Sequence, residues 1–306
     1  MSDAFRSGFV AILGRPNAGK STLVNRLVGQ KIAIVSSKPQ TTRNRIQGIV
    51  NPPGGQIVFI DTPGLHVADS ALGRQMMQEV AAALEGIDVL LLISDASRAL
   101  PGADELLLDK ARTFRGPVIL ALNKVDRMPK PALLPMIAAY AKSFGFAAIV
   151  PISALNGLGC EELLAEVITR LPEGERYFAE DHVTDQPERF LAAEIVREKA
   201  IALTYHEVPY ALAVVVDQWE ETPKIVRIRA TLQVERSSQK KILIGRGGAM
   251  LKKIGTEARK ELENLLDTKI FLGLFVKVTP NWRDDPRRVR QLDWHVQLEE
   301  LAGEEE

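Results

Sequence analysis

The chain has 306 residues, 46% of them apolar and 25% charged, with 39 basic and 39 acidic side chains that cancel. That composition is that of a globular protein large enough for two cores. A single cysteine, Cys160, excludes an intrachain disulfide and a cysteine-built zinc cage, and no H-E-x-x-H or G-x-S-x-G pattern supports zinc-peptidase or serine-hydrolase chemistry.

In chain order, the first half alternates strand-length apolar runs (residues 9–13, 45–50, 57–60, 89–94, 118–122 and 148–152) with helical patterns (19–27, 72–84, 104–113, 131–144 and 161–170). Such alternation predicts an α/β domain with a mainly parallel sheet and helices on both faces. Leu171-Pro172-Glu173-Gly174 stops the last helix, and a polar irregular stretch follows. The expected division is a domain over 1–172, a linker over 173–188, a smaller α+β domain over 189–292 and an acidic tail over 293–306. In the smaller domain a helix (189–203) precedes two strands (210–219, 224–234), a glycine turn, a long helix (249–266) and a strand (270–278). The opening residues lack an apolar signal core and no apolar run reaches membrane-span length, so a cytoplasmic protein is expected.

The motifs fall at predicted strand ends, where ligands sit in such sheets. Gly14-Arg15-Pro16-Asn17-Ala18-Gly19-Lys20-Ser21 carries G-x-x-x-x-G-K-[ST] between a strand and a helix, the context of a phosphate-binding loop. Its amides and the helix N-terminus would face phosphate oxygens. Lys20 would reach the β- and γ-phosphates, Ser21 would ligate Mg2+, and Thr22 extends the nucleotide-binding set. Asp61-Thr62-Pro63-Gly64 follows the third strand: Asp61 would hold the Mg2+ through water, and the Gly64 N–H would meet the γ-phosphate. In the polar loop Gln40-Thr41-Thr42-Arg43 one threonine would add a second hydroxyl to the metal; Thr42 is favoured and Thr41 stays open.

Asn123-Lys124-Val125-Asp126 selects the base. An acceptor-only Asp126 carboxylate matches guanine N1–H and its 2-amino group, whereas adenine would leave it unpaired. Lys124 would lay its stem over the base, Asn123 would tie this loop to the phosphate loop, and Ser153-Ala154-Leu155 would offer the Ala154 N–H to guanine O6. Lys20, Thr42 and Gly64 are the expected catalytic set for GTP hydrolysis to GDP and phosphate. The position after Gly64 is Leu65, which cannot orient an attacking water, so slow intrinsic turnover is expected.

Between Lys224 and Arg290 there are 17 Lys and Arg against 7 Asp and Glu. There Lys240 and Lys241 precede Ile244-Gly245-Arg246-Gly247-Gly248, which opens a helix bearing Lys252 and Lys253. A G-x-x-G turn lets a nucleic-acid backbone approach closely, and Ile242, Ile244, Leu251 and Ile254 could floor a groove for single-stranded bases.

The nucleotide motifs resemble the translation-factor class of P-loop GTPases, in the branch with G-R-P-N-x-G-K-S and T-T-R. The basic module resembles a type II KH domain. Together they are similar to the bacterial Era family of ribosome-assembly GTPases over about residues 8–292, with Asn281-Trp282-Arg283-Asp284-Asp285 matching the family's ending. The resemblance implies GTP and GDP as ligands. It implies the 3′ end of small-subunit ribosomal RNA and the 30S subunit as partners, with possible peripheral contact with the inner membrane. In relatives an asparagine at the Asn17 position helps hold K+. A monomer is expected. A GTP-driven switch is the leading reading, and an RNA-binding scaffold with structural nucleotide is the alternative.

Overall fold

A computed structural model describes residues 4–98, 104–294 and 296–297; most of the expected acidic tail lies outside them. Two compact units result. The first comprises Met1–Ala33, Thr42–Val67 and Met76–Asp185; the second comprises Ile34–Thr41, Ala68–Gln75 and Gln186–Glu306.

The first unit is built on a six-stranded sheet of β1 (Arg6–Gly14), β2 (Ile46–Val50), β3 (Gly55–Asp61), β4 (Val89–Asp95), β5 (Val118–Asn123) and β6 (Ala148–Pro151). Their order is β2-β3-β1-β4-β5-β6, parallel throughout except for the antiparallel edge strand β2. Helices α1 (Lys20–Val28), α2 (Ala71–Ala82), α3 (Glu105–Thr113) and α4 (Leu133–Ser143) fill the connections between strands, and α5 (Cys160–Ile168) follows β6. Val10 and Ile12 of β1 pack with Leu23 of α1 and Leu163 and Val167 of α5. Ala11 and Leu13 face the opposite way, toward Val80, Leu107, Ala111 and Tyr140. Burial on both faces explains why the strands read as unbroken apolar runs. Each such Leu or Ile contributes roughly 1.5–3 kcal/mol by leaving water. The chain leaves β1 for β3 on one side and returns to β4 on the other, which opens a crevice at the carboxyl ends.

Residues 173–185, read from the sequence as linker, are held against the first unit. The buried Gln56 side chain accepts from the Tyr177 and Phe178 amides at 2.8 and 3.0 Å, and Ile49 N donates to Val183 O at 3.0 Å. The segment thereby covers the free edge of β2, which would otherwise present unpaired amides.

In the second unit α6 (Glu188–Leu203), α7 (Val208–Ala211), β7 (Ala213–Thr222), β8 (Ile225–Val234), α8 (Ser237–Ile244), α9 (Ala249–Leu266), β9 (Ile270–Val278) and α10 (Pro286–Arg290) follow in order. The sheet runs β7-β8-β9, antiparallel then parallel, and α6, α8 and α9 cover one face of it. Helix α8 is absent from the sequence reading, because its first turn is Ser-Ser-Gln and only Leu243 is apolar and fully buried. Its start is held by Gln239, whose side-chain oxygen accepts from the Glu235 and Arg236 amides. Trp282, 1% exposed, donates from its indole N–H to Ala211 O at 2.9 Å and pins the chain after β9 onto α7.

Candidate nucleotide site and nucleic-acid surface

Strand register brings the first three motifs together. Asp61 pairs with Ile12, two residues before the phosphate loop, and Asn123 pairs with Asp95 at the end of β4. Gly19 starts α1 with φ +103°, and a Cβ there would lie 2.2 Å from the Asn123 amide, so only glycine fits. Gly64 approaches equally closely: a Cβ would meet Pro16 N at 2.8 Å, and Leu65 N donates to Gly14 O at 3.2 Å. Thr62 Oγ1 donates to Ile12 O at 2.6 Å and fixes the start of that loop.

Lys20 lies back along the loop, its Nζ donating to the carbonyls of Gly14 and Arg15 at 3.2 and 3.4 Å. Burial pushes its ammonium down to about 8, with Asp61 opposing the shift. Burial pushes the Asp61 carboxyl up to about 6, against the pull of Lys20, Ser21 and the Thr62 amide. Ser21 Oγ donates to Asp61 Oδ2 at 2.6 Å and lies 2.8 Å from Thr42 Oγ1. Asp61 Oδ1 is buried with no hydrogen-bond partner. Three hard oxygens and an orphaned carboxylate oxygen beside a phosphate loop fit a Mg2+ ion carrying waters and phosphate ligands. Geometry favours Thr42 for that role, since Thr41 Oγ1 is turned away and donates to Lys38 O at 2.7 Å. Leu65 packs into the core on the α2–α4 face of the sheet, which keeps it from any water-orienting role.

Asn123 is the crosspiece. Its Nδ2 donates to Ala18 O at 2.8 Å and its Oδ1 accepts from Ala154 N at 2.9 Å. That second bond corrects one expectation: the Ala154 N–H, assigned from sequence to guanine O6, is taken up by Asn123. Lys124, left-handed at φ 67°, donates to Asn17 O at 2.6 Å and pairs with Asp95 at 2.7 Å. Burial alone would raise the Asp95 carboxyl, but hydrogen bonds from Lys124 and Ser97 outweigh it and hold it below its ordinary value. Asp95 thus fixes Lys124, whose stem is expected over the base, a role invisible in sequence because no motif joins β4 to β5. Arg26 of α1 is a second such residue, donating to the Ala154 and Leu155 carbonyls and so anchoring the base loop. Asp126 is exposed in a short turn, so the fold by itself does not desolvate its carboxylate.

In the second unit Arg246, Gly247, Lys241, Lys252 and Lys253 are exposed at the turn between α8 and α9, with Lys240 beside them. Gly245, Gly247 and Gly248 have φ of 73°, 58° and 82°, a left-handed run that strains any side chain. A Cβ on Gly247 would meet nothing within 4 Å, so the space over the turn is open. Ile254 does not floor a groove as the sequence suggests; it is fully buried on the inner face of α9, and Ile242 is the exposed apolar residue.

Segment Ile34–Thr41 of this unit packs on α6. Lys38 Nζ donates to the carbonyls of Ile201 (2.7 Å) and Thr204, Val35 N donates to Glu198 Oε1 at 2.9 Å, and buried Arg197 donates to Thr41 O. This accounts for burial around most of the circumference of α6.

Strand-end motifs on a doubly covered sheet, followed by a G-x-x-G module, define a P-loop GTPase joined to a KH domain. The family model described as "50S ribosome-binding GTPase" matches residues 9–124, and the "KH domain" model matches residues 207–283. GTPase Era of Geobacter metallireducens is 52% identical over 297 residues, covering 96% of this chain and all of that one. GTPase Era of Geobacter sp. strain M21 is 50% identical over 291 residues, or 95% and 98% of the two chains. A crystal structure of Era with MgGDPNP and nucleotides 1506–1542 of 16S ribosomal RNA superposes with a TM-score of 0.92 at 42% identity, covering 95% of this chain and 99% of that one. The chain belongs to the Era family of GTPases, and is a GTP hydrolase.

Proposed function

We propose that the chain is a GTP-driven switch that binds the 3′ region of small-subunit ribosomal RNA through its KH domain and assists maturation of the 30S subunit. Supporting this is the Era relative bound to 16S RNA nucleotides, which matches both domains at once. The G-domain description names the 50S particle but covers only residues 9–124, so it carries less weight on partner choice.

The Ser21 and Thr42 hydroxyls and, through water, Asp61 would hold a Mg2+ ion, whose chemistry would be to neutralise charge on the β- and γ-phosphates. Lys20 leaves its loop carbonyls for the phosphates, where the Gly64 N–H also donates. Asp126 reads guanine N1–H and the 2-amino group while the Lys124 stem, fixed by Asp95, covers the ring. With the Ala154 amide engaged, the Leu155 N–H serves guanine O6. Asn17, left-handed at φ 63° within the phosphate loop, would take part in holding K+ beside the phosphates. Equal single-turnover rates in potassium and sodium would remove that role.

One observation carries the switch. Thr42, a metal-side ligand, directly follows a segment that belongs to the second unit and is held on α6 by Lys38 and Arg197. Ordering Thr42 by GTP would therefore bear on that segment; the resemblance to the Era family implies that the GTP state frees the KH groove for RNA and that hydrolysis permits release. The chain works as a cytoplasmic monomer with at most peripheral membrane contact. Among the described residues no helix is long and apolar enough to cross a membrane. The test is GTPase rate with and without a 3′-terminal 16S RNA fragment. A rate change of several-fold is expected, whereas an unchanged rate would make the nucleotide structural and the chain an RNA scaffold.

A further inference from the structure

Among the described residues, the face of the β7-β8-β9 sheet turned away from α6, α8 and α9 is uncovered. Alternation along β9 buries Ile270 and Val276 and turns Phe271, Gly273, Phe275 and Lys277 outward. Phe271 and Phe275 are 51% and 62% exposed, large values for aromatic rings on a sheet. Register places Arg227 beside Phe271, Arg229 beside Gly273, and Thr231 beside Phe275. A Cβ at Gly273 would touch the Arg229 stem at 3.6 Å and the Phe271 ring at 3.7 Å, so ring and guanidinium arm close over a bare floor. Two hollows of about 420 and 620 Å3 share Gln218, Arg229 and Phe271; ligand pockets run about 300–1,000 Å3.

We propose that Phe271 and Phe275, flanked by Arg227 and Arg229, form a stacking platform for single-stranded RNA on the open sheet face, beyond the G-x-x-G turn. The inference rests on the RNA-binding reading above and adds a second subsite to it.

Charge favours a polyanion. Among the described residues Arg227, Arg229 and Lys277 have no ion-pair partner, while the Asp217 carboxylate on the same face accepts from Thr231 Oγ1 at 2.7 Å. Glu220, across from Arg227, is the remaining carboxylate on the face. Spacing favours bases. Four residues along a strand separate the two rings by about 13 Å, roughly two steps of an extended single strand. Continuity favours RNA already held at the turn: Lys240 of α8 sits 5.3 Å over the Phe275 ring and joins the basic turn to the platform. Aromatic rings on an open sheet with flanking arginines stack bases whatever their sequence.

The test compares full-length protein with F271L/F275L, which keeps apolar bulk but loses the stacking surface, and with F271Y/F275Y, which keeps the rings. Fluorescence anisotropy is read on two 3′-terminal 16S RNA oligonucleotides, one of about 6 and one of about 14 nucleotides. The leucine pair is expected to lose roughly tenfold or more in affinity for the longer RNA, with the shorter RNA and GTP unaffected, and the tyrosine pair to restore binding. Unchanged affinity of the leucine pair, with Gly247→Asp still weakening both RNAs, would overturn the platform and leave the face to another partner such as a protein. If Gly247→Asp also leaves both affinities unchanged, the RNA-binding reading itself fails. Equal loss on both oligonucleotides would overturn the separation of the two subsites.

Discussion

The two ligand-bearing regions are built on opposite principles. At the phosphate end of the nucleotide site the key groups are largely buried and tied to one another before any ligand arrives: Lys20 to loop carbonyls, Ser21 to Asp61 and Thr42, Asn123 to both neighbouring loops. At the basic turn the key groups are exposed, and the backbone runs left-handed with open space above it. A preorganised buried site gains selectivity from the penalty of leaving any member unpaired. An open basic turn gains affinity from shape and counterion release, and loses it by degrees.

That contrast breaks first at Lys20. Lys20→Ala removes the buried cation facing both the phosphates and Asp61, and GTP affinity measured by calorimetry should fall a thousandfold or more. RNA affinity of the same full-length variant, measured without nucleotide, should stay within a few-fold. A comparable loss at both sites would mean that they are not separately built. Asp126→Asn exchanges two charge-assisted hydrogen bonds for weaker ones and should weaken GTP by roughly a hundredfold while leaving ATP binding unimproved. Retention of full guanine preference would move base selection away from position 126.

The buried carboxylate gives a pH test of preorganisation. Asp61 has its folded-state pKa raised from 3.8 to about 6 by burial, so its contribution is present at low pH and is lost as pH rises through 6. A shift of that size corresponds to about 3 kcal/mol. The stability of ligand-free protein minus that of Asp61→Asn, from urea unfolding, should therefore decline between pH 4 and pH 6.5 and level off above. A flat difference would show that the carboxylate is solvated. The smallest effect belongs to the open turn. Gly247→Asp adds one negative charge in unobstructed space and should weaken RNA about tenfold, with a shallower salt dependence and unchanged GTP affinity.

Asp95 and Arg26 show where sequence reading stops. Neither sits in a motif, yet one fixes Lys124 and the other anchors the Ala154-Leu155 loop. Helix α8 escaped for a different reason: a short polar helix has too few apolar positions to declare a period, and its single fully buried Leu243 earns meaning only against β9 and α9. The segment over 173–185 looked like linker because its contacts are backbone bonds to Gln56 and the edge of β2, which leave no pattern in side chains.

The sequence by itself determined the two-domain plan and placed the phosphate loop, the Asp61 and Asp126 carboxylates and the basic turn. Each is local: a few residues at set spacing, flanked by strand and helix, where backbone geometry follows from the residues present. Tertiary structure alone decided that Thr42 rather than Thr41 meets Ser21 and that Asn123 takes the Ala154 amide. It alone set Phe271 and Phe275 on one open face with two arginines. Those outcomes depend on register between strands and on loops closing over one another, and such distances are set by packing across the fold rather than by spacing along the chain.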